Sequence, residues 1–182
     1  NTTTGGAYSF SLDPGDYVVC EVAQGLSGST WTQSYPNVTA TVDVCKTTET
    51  IGDGLAPNGY AFTMASGDIT NHLANDFGNY RPGTKAGVKF EDLDGDGVKD
   101  SGEPGLVGWP IKVFNDVDSS GDLTAGDTLV TGGSQNTTTG GAYSFSLDPG
   151  DYVVCEVAQG LSGSTWTQSY PNVTATVDVC KT

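Results

Sequence analysis

The chain has 182 residues, with 22 Asp and Glu against 7 Lys and Arg, for a net charge of −15. This acidic excess excludes the basic face that nucleic-acid binding requires and disfavours docking on an anionic membrane surface. No apolar run approaches the roughly 20 residues that cross a bilayer, and glycine, though abundant at 26 residues, lacks the three-residue period of collagen.

In chain order, the first segment is one the chain later repeats. Residues 1–47 are identical to residues 136–182, so the period is 136 − 1 = 135 residues, a length that suits one domain. The simplest account is a stretch of a longer tandem array. Within the repeated segment, Ala7 to Leu12 alternates, with Tyr8, Phe10 and Leu12 on one side, and this predicts a strand. Asp13-Pro14-Gly15-Asp16 is turn chemistry, and Tyr17 to Val22 predicts a second strand, so the two are expected as a hairpin. Val38 to Cys45 alternates again, with Val38, Ala40, Val42 and Val44 on one face. If those residues and Tyr17 and Val19 face the core, Cys20 and Cys45 face outward on neighbouring strands. The same alternation turns Glu21 and its copy Glu156 inward, where a carboxylate must be paired or protonated unless the strand end is wet.

Cys20 and Cys45 recur as Cys155 and Cys180. Two cysteines per unit at fixed spacing predict one disulfide per unit and an oxidising compartment. Closing a loop of about 25 residues contributes roughly 3 kcal/mol in the chain-entropy view. Zinc competes poorly, because there is no C-x-x-C pair and His72, read as a solvated loop residue, is the single histidine. Gly59 to Met64 and Asp76 to Tyr80 read as later strands. Thr84 to Phe90, Gly108 to Phe114 and Asp127 to Thr131 read as strands of a second unit. Many short strands punctuated by Gly, Pro and Asp predict an all-β sandwich.

Two acidic loops carry the clearest chemistry. The run from Asp92, DLDGDGVKDSGE, places Asp92, Asp94, Asp96, Asp100 and Glu103 at positions 1, 3, 5, 9 and 12 of a calcium loop. Gly97 holds position 6, where the chain turns sharply, and Val98 at position 7 offers its carbonyl. A hard cation taking six to eight oxygens needs this supply of carboxylates, which would otherwise repel one another. The run from Asp116, DVDSSGDLTAGD, is looser. Asp116, Asp118, Ser120, Thr124 and Asp127 hold the same positions, Gly121 is at position 6, and Asp122 is at position 7. Weaker binding is expected there, since hydroxyls replace acids and Asp127 replaces the longer Glu. The flanks, Gly-Val-Lys-Phe and Ile-Lys-Val-Phe, are strand-like, so the loops belong to a sandwich and not to a helix–loop–helix hand.

Asn1, Asn37, Asn136 and Asn172 open N-x-T sequons and are candidate glycosylation sites. Trp31, Trp109 and Trp166 could form a sugar platform, although such residues more often pack in a core or along a strand edge. There is no G-x-S-x-G, no phosphate-binding loop and no Cys/His pairing, so an enzyme is not expected.

The run GVKFEDLDGDGVKDSGEPGLVGWPIKVFND from Gly87, with LDPGDYVVCEV, STWTQSYPN and NDFGNY, resembles the SdrD B-like repeat family of bacterial surface proteins. The resemblance covers nearly the whole period. It implies tandem Greek-key sandwiches of the Ig-like, transthyretin-like (prealbumin-like) and Cna-B-like kind, carrying calcium as cofactor. By that frame residues 1–82 are the later part of one repeat and residues 83–182 the earlier part of the next.

The resemblance further implies an extracellular or cell-surface stalk or filament, stiffened by calcium and disulfides. Its partners are neighbouring repeats of the same chain and other copies in a fibre. The alternative is an adhesive module whose loops bind a host protein or glycan. Some Cna-B relatives also join a first-strand Lys to a last-strand Asn, assisted by a Glu in a Y-x-x-x-E strand. Lys89, Asn79 and Glu156 are the matching residues, but Lys89 and Asn79 fall in different repeats, and Lys89 alternates against Val88 and Phe90, which predicts an outward side chain.

Overall fold

The computed structural model describes residues 2–22, 25–26, 29–36, 45, 55–68, 75–157, 160–161, 164–171 and 180. The protein is all-β, and it divides into two compact units, Asn1–Arg81 and Pro82–Thr182.

In the first unit β1 (Gly15–Val22) is followed by β2 (Gly25–Leu26), β3 (Ser29–Thr30), β4 (Thr32–Tyr35), β5 (Leu55–Met64) and β6 (Gly78–Tyr80). β1 runs antiparallel to β5, from Gly15 opposite Met64 to Val22 opposite Leu55, with an irregularity after Cys20. β4 pairs with β6 and β2 with β3. The Gln33 side chain ties β4 to β5: its Nε2 donates to the Asn58 carbonyl at 2.9 Å, and its Oε1 accepts the Asn58 N–H at 3.1 Å. Tyr8 and Tyr60 pack their rings on Phe77, at 6.0 and 5.5 Å.

In the second unit the strands are β7 (Gly83–Val88), β8 (Pro110–Asn115), β9 (Thr128–Asn136), β10 (Ala142–Leu147), β11 (Tyr152–Glu156), β12 (Gly160–Leu161) and β13 (Ser164–Thr165). β10 pairs with β7, and β8 lies between β11 and β9. The two sheets meet sandwich-fashion over Trp109, Ile111 and Val113, from β8 and the residue before it, and Phe145 of β10. Tyr143 and Leu147 of β10 and Tyr152 and Val154 of β11 pack around that cluster. β8 alternates: Ile111 and Val113 are buried against the facing sheet, and Pro110, Lys112, Phe114 and Asn115 are half-buried.

The repeated sequence behaves differently in its two settings. Residues 142–147 form β10 because β7 lies alongside, whereas their counterparts Ala7–Leu12 form no strand. Phe145 is 5% exposed and its twin Phe10 63%; Val153 is 3% exposed and its twin Val18 55%.

Three expectations change. The hairpin expected around Asp13–Asp16 does not form: Ala7–Leu12 is no strand and β1 pairs with β5, while in the identical second copy β10 pairs with β7 and β11 with β8, so the Asp148–Asp151 turn carries the chain from one sheet to the other. Cys155 does sit across from Lys112, on the face away from Val154 and Val113, but it is buried, as is Cys45, so the face expected to be open is covered. Lys89 points inward. β7 ends at Val88, which is the exposed residue, and the Lys89 side chain is only 15% exposed. Val38–Val44, His72, Asn1, Asn37 and Asn172 lie outside the described residues, while Asn136 is exposed at the end of β9.

Candidate functional site

Both acidic loops connect strands of the second unit, and both are closed by the same kind of carboxylate clamp. In the first, Asp92 accepts the N–H groups of Gly95 and Gly97 at 2.7 and 2.9 Å. Glu103 accepts the N–H groups of Leu93 and Asp100 at 2.8 and 3.0 Å. In the second, Asp116 accepts from Ser120 and Gly121 at 3.0 and 2.8 Å, and Asp127 from Val117 and Thr124 at 2.9 and 2.7 Å. The last carboxylate of each loop therefore clamps positions 2 and 9. Gly97 and Gly121 have φ of 76° and 77°, a conformation that a Cβ would strain, and this explains glycine at position 6 of both.

This wiring gathers carboxylate oxygens. Those of Asp92, Asp94 and Glu103, of Asp94, Asp96 and Asp100, and of Asp116, Asp118 and Asp127 lie within 4.8 Å of one another in each group. Each set could hold a metal ion. The donors are all oxygen, and the cysteines are committed to disulfides, so the chemistry fits a hard cation and not zinc. Val98 and Asp122 stand at position 7. The Ser120 hydroxyl donates to the Asp122 carbonyl at 3.0 Å, and Thr124 serves the second loop through its N–H.

The electrostatics differ between the loops. The Asp96 N–H steadies the Asp94 carboxylate, but repulsion from Asp96, desolvation and the charges of Asp92 and Asp100 together push its pKa up. Asp92 is held down, first by the Ser169 hydroxyl and then by the Gly97 and Gly95 N–H groups. Asp118 is held down chiefly by the Ser120 hydroxyl. A divalent cation relieves the repulsion that Asp94 carries.

A second constellation centres on one glutamate position seen twice. In the second unit Lys89 Nζ lies 2.8 Å from Glu156 Oε2 and 4.6 Å from the Trp109 ring centroid. The Lys89 backbone is clamped, donating to the Gly141 carbonyl and accepting from Leu106. A Cβ on Gly141 would collide with that Lys89 carbonyl. In the first unit Asn79 Nδ2 donates to Glu21 Oε2 at 3.2 Å. Desolvation raises the Glu21 pKa, and the Asn79 hydrogen bond only partly opposes it. Glu21 and Glu156 are counterparts in the repeat, so a single position meets a lysine in one unit and an asparagine in the other. The carboxylate predicted to face inward is thus paired in both.

The expected disulfides both form, Cys20–Cys45 and Cys155–Cys180, with Cα separations of 6.0 and 5.9 Å. Trp109 is core, while Trp31 and Trp166 are about one-third exposed, under the Arg81 guanidinium and against the Trp109 edge respectively. The role of Gln33 escaped the sequence reading, because no local pattern marks a side chain that bonds to a strand 25 residues away. Among the described residues no helix is long and apolar enough to cross a membrane. Comparison with protein-family models, curated proteins and solved structures returned no match.

Proposed function

We propose that this chain is part of a non-enzymatic, calcium-binding structural repeat of the SdrD B-like kind, from an extracellular rod or filament. The observation that carries the reading is the pair of acidic loops, each closed by a last carboxylate that clamps positions 2 and 9, set between strands of a unit whose residues 136–182 recur without change as residues 1–47. A cation at each loop ties down the connection further by offsetting the repulsion among the gathered carboxylates. The disulfides add covalent closure, and they suit an oxidising, extracellular setting. An exact repeat favours a mechanical role, since stacking identical modules needs one self-complementary junction, repeated.

The lysine, glutamate and asparagine add a third staple. In a repeat that holds both strand sets, Lys89, Glu156 and the counterpart of Asn79 share one site. The lysine amine, neutral after giving its proton to the glutamate, attacks the amide carbon; the C–N bond to the amide nitrogen breaks and ammonia leaves. The glutamate passes its proton to the departing nitrogen and takes the second amine proton, so the product is an amide cross-link beside a protonated glutamate.

The test of the rod is small-angle X-ray scattering on a chain of several 135-residue periods (136 − 1), first in calcium and then in chelator. The expected result is a long, stiff particle that becomes shorter or more flexible when calcium is removed. An unchanged profile would remove the acidic loops from any part in stiffness.

A further inference from the structure

The Asp-Pro-Gly-Asp turn is built alike in both copies of the repeated segment. The Tyr152 hydroxyl donates to the Asp148 carbonyl at 2.9 Å, and the Tyr17 hydroxyl to the Asp13 carbonyl at 2.9 Å. The surroundings differ: the second copy abuts the loop that starts at Asp116, and the first abuts β5. A turn that closes on itself in the same way against unlike neighbours is set by its own residues. Its last carboxylate is thus a fixed acceptor, and in each copy a neighbour's hydroxyl takes it. Thr63 Oγ1 donates to Asp16 Oδ1 at 2.7 Å, and Ser119 Oγ to Asp151 Oδ2 at 2.8 Å.

The two donors are not equally at ease. Thr63 stands on β5 directly opposite Asp16, in ordinary strand backbone. Ser119 is position 4 of the second acidic loop and, among the described residues, the one non-glycine at positive φ, 53°. Position 4 of the first loop is Gly95, with φ of 74°. The loop therefore demands the left-handed region there, and serine fills it at a steric cost that glycine would not incur. What serine adds is the hydroxyl that reaches Asp151. A second link runs beside it, the Asp116 N–H donating to the Asp151 carbonyl at 3.0 Å. Asp151, 32 residues beyond Ser119, thus holds positions 1 and 4 of the loop. Those positions flank Asp118, whose carboxylate gathers with those of Asp116 and Asp127.

We propose that Asp151 and Ser119 are positioning residues for cation binding at the second acidic loop. The turn holds Asp116 and Ser119 before an ion arrives, so the ion does not itself have to order this end of the loop. By linkage, an ion in the loop steadies the turn in return, and that turn is the connection between the two sheets. The inference rests on the reading that the second loop takes calcium. It goes beyond that reading in making the affinity depend on a carboxylate outside the loop, and in tying the loop's occupancy to the sheet-to-sheet connection.

Calorimetric titration of the 182-residue chain with calcium, in variants at these two positions, tests it. Asp151→Ala should weaken the weaker site about fivefold, a modest effect because the bond is open to water, and leave the tighter site unchanged. Asp151→Asn keeps an acceptor oxygen without the charge and should recover most of the loss. Ser119→Ala should match Asp151→Ala, and the double variant should lose no more than either. If Asp151→Ala disturbs the turn, Ser119→Ala, a change at an exposed side chain, decides alone. Hydrogen exchange gives a readout besides affinity: calcium should slow exchange of the Gly150 and Asp151 amides in the unaltered chain and not in Ser119→Ala. Equal affinity at the second site in the unaltered chain and in both alanine variants overturns the proposal and leaves the calcium reading standing. A loss in Asp151→Asn as large as in Asp151→Ala overturns it too, since Asp151 would then act only as a charge. No calcium at the second loop overturns the proposal, and none at either loop overturns the calcium reading as well.

Discussion

Glu103 and Asp127 hold the same post in two loops and differ by one methylene. Each clamps the N–H groups of positions 2 and 9, but the shorter acid reaches less far toward a cation. The first loop also has acids at positions 5 and 9, where the second has Ser120 and Thr124. Calorimetric titration with calcium should therefore resolve a tighter and a weaker site. Glu103→Gln should weaken the tighter one about tenfold or more, and Asp127→Asn the weaker. The pH dependence follows from Asp94 and Asp118. Asp94 is raised, so in the cation-free loop it takes up a proton earlier as pH falls, in competition with calcium; Asp118 is lowered and stays charged further into acid. As pH falls, affinity should drop at the first loop before the second. Titrations at descending pH check this, and an inverted order would mean that repulsion at Asp94 does not govern the site.

At the scale of elements, the duplicated segment permits a comparison with sequence held constant. Phe145 is buried against β8, so Phe145→Ala should cost about 3–5 kcal/mol, while Phe10→Ala should stay within about 0.5 kcal/mol. Denaturant unfolding of both variants tests the pair, and equal costs would mean that Phe10 is as well covered as its twin. The same comparison marks what could be read from sequence. Alternation gave the faces correctly: Tyr152, Val154 and Glu156 share a side, and Cys155 takes the other. It could not give neighbours, because period two assigns a side chain to a face and is silent about which strand lies alongside. That is why the Asp13–Asp16 turn reads as a hairpin from sequence, although its copy at Asp148–Asp151 passes between sheets. Lys89 failed for a related reason. The strand pattern was carried through Val88 and Phe90, whereas the ladder ends at Val88 and the Gly141 clamp sets the lysine backbone anew. The strand expected from Gly59 begins earlier, at Leu55, and at Asn58 the Gln33 side chain supplies hydrogen bonds that a neighbouring strand would otherwise make. The acidic loops were the most legible feature, since their ligand spacing is local in the chain.

For the whole molecule, the glutamate position seen twice has a consequence in mass. Glu156 holds the amine of Lys89, and its counterpart Glu21 holds the amide of Asn79. On the proposed repeat, a chain that runs from β7 through the next counterparts of β5 and β6 would set one carboxyl against both groups. Desolvation keeps Glu21 readier to hold a proton than an exposed glutamate, which suits a group that must take a proton from the amine and return it to the leaving ammonia. Intact mass of such a chain should fall short of the sequence mass by one ammonia per complete repeat, and fragmentation should join Lys89 to the asparagine. Glu156→Ala should restore the full mass while leaving both disulfides in place. A full mass in the unmodified chain would mean that the lysine and glutamate serve only as an ion pair beneath Trp109. The stiffness of the repeat would then rest on the disulfides and on cations at the two loops.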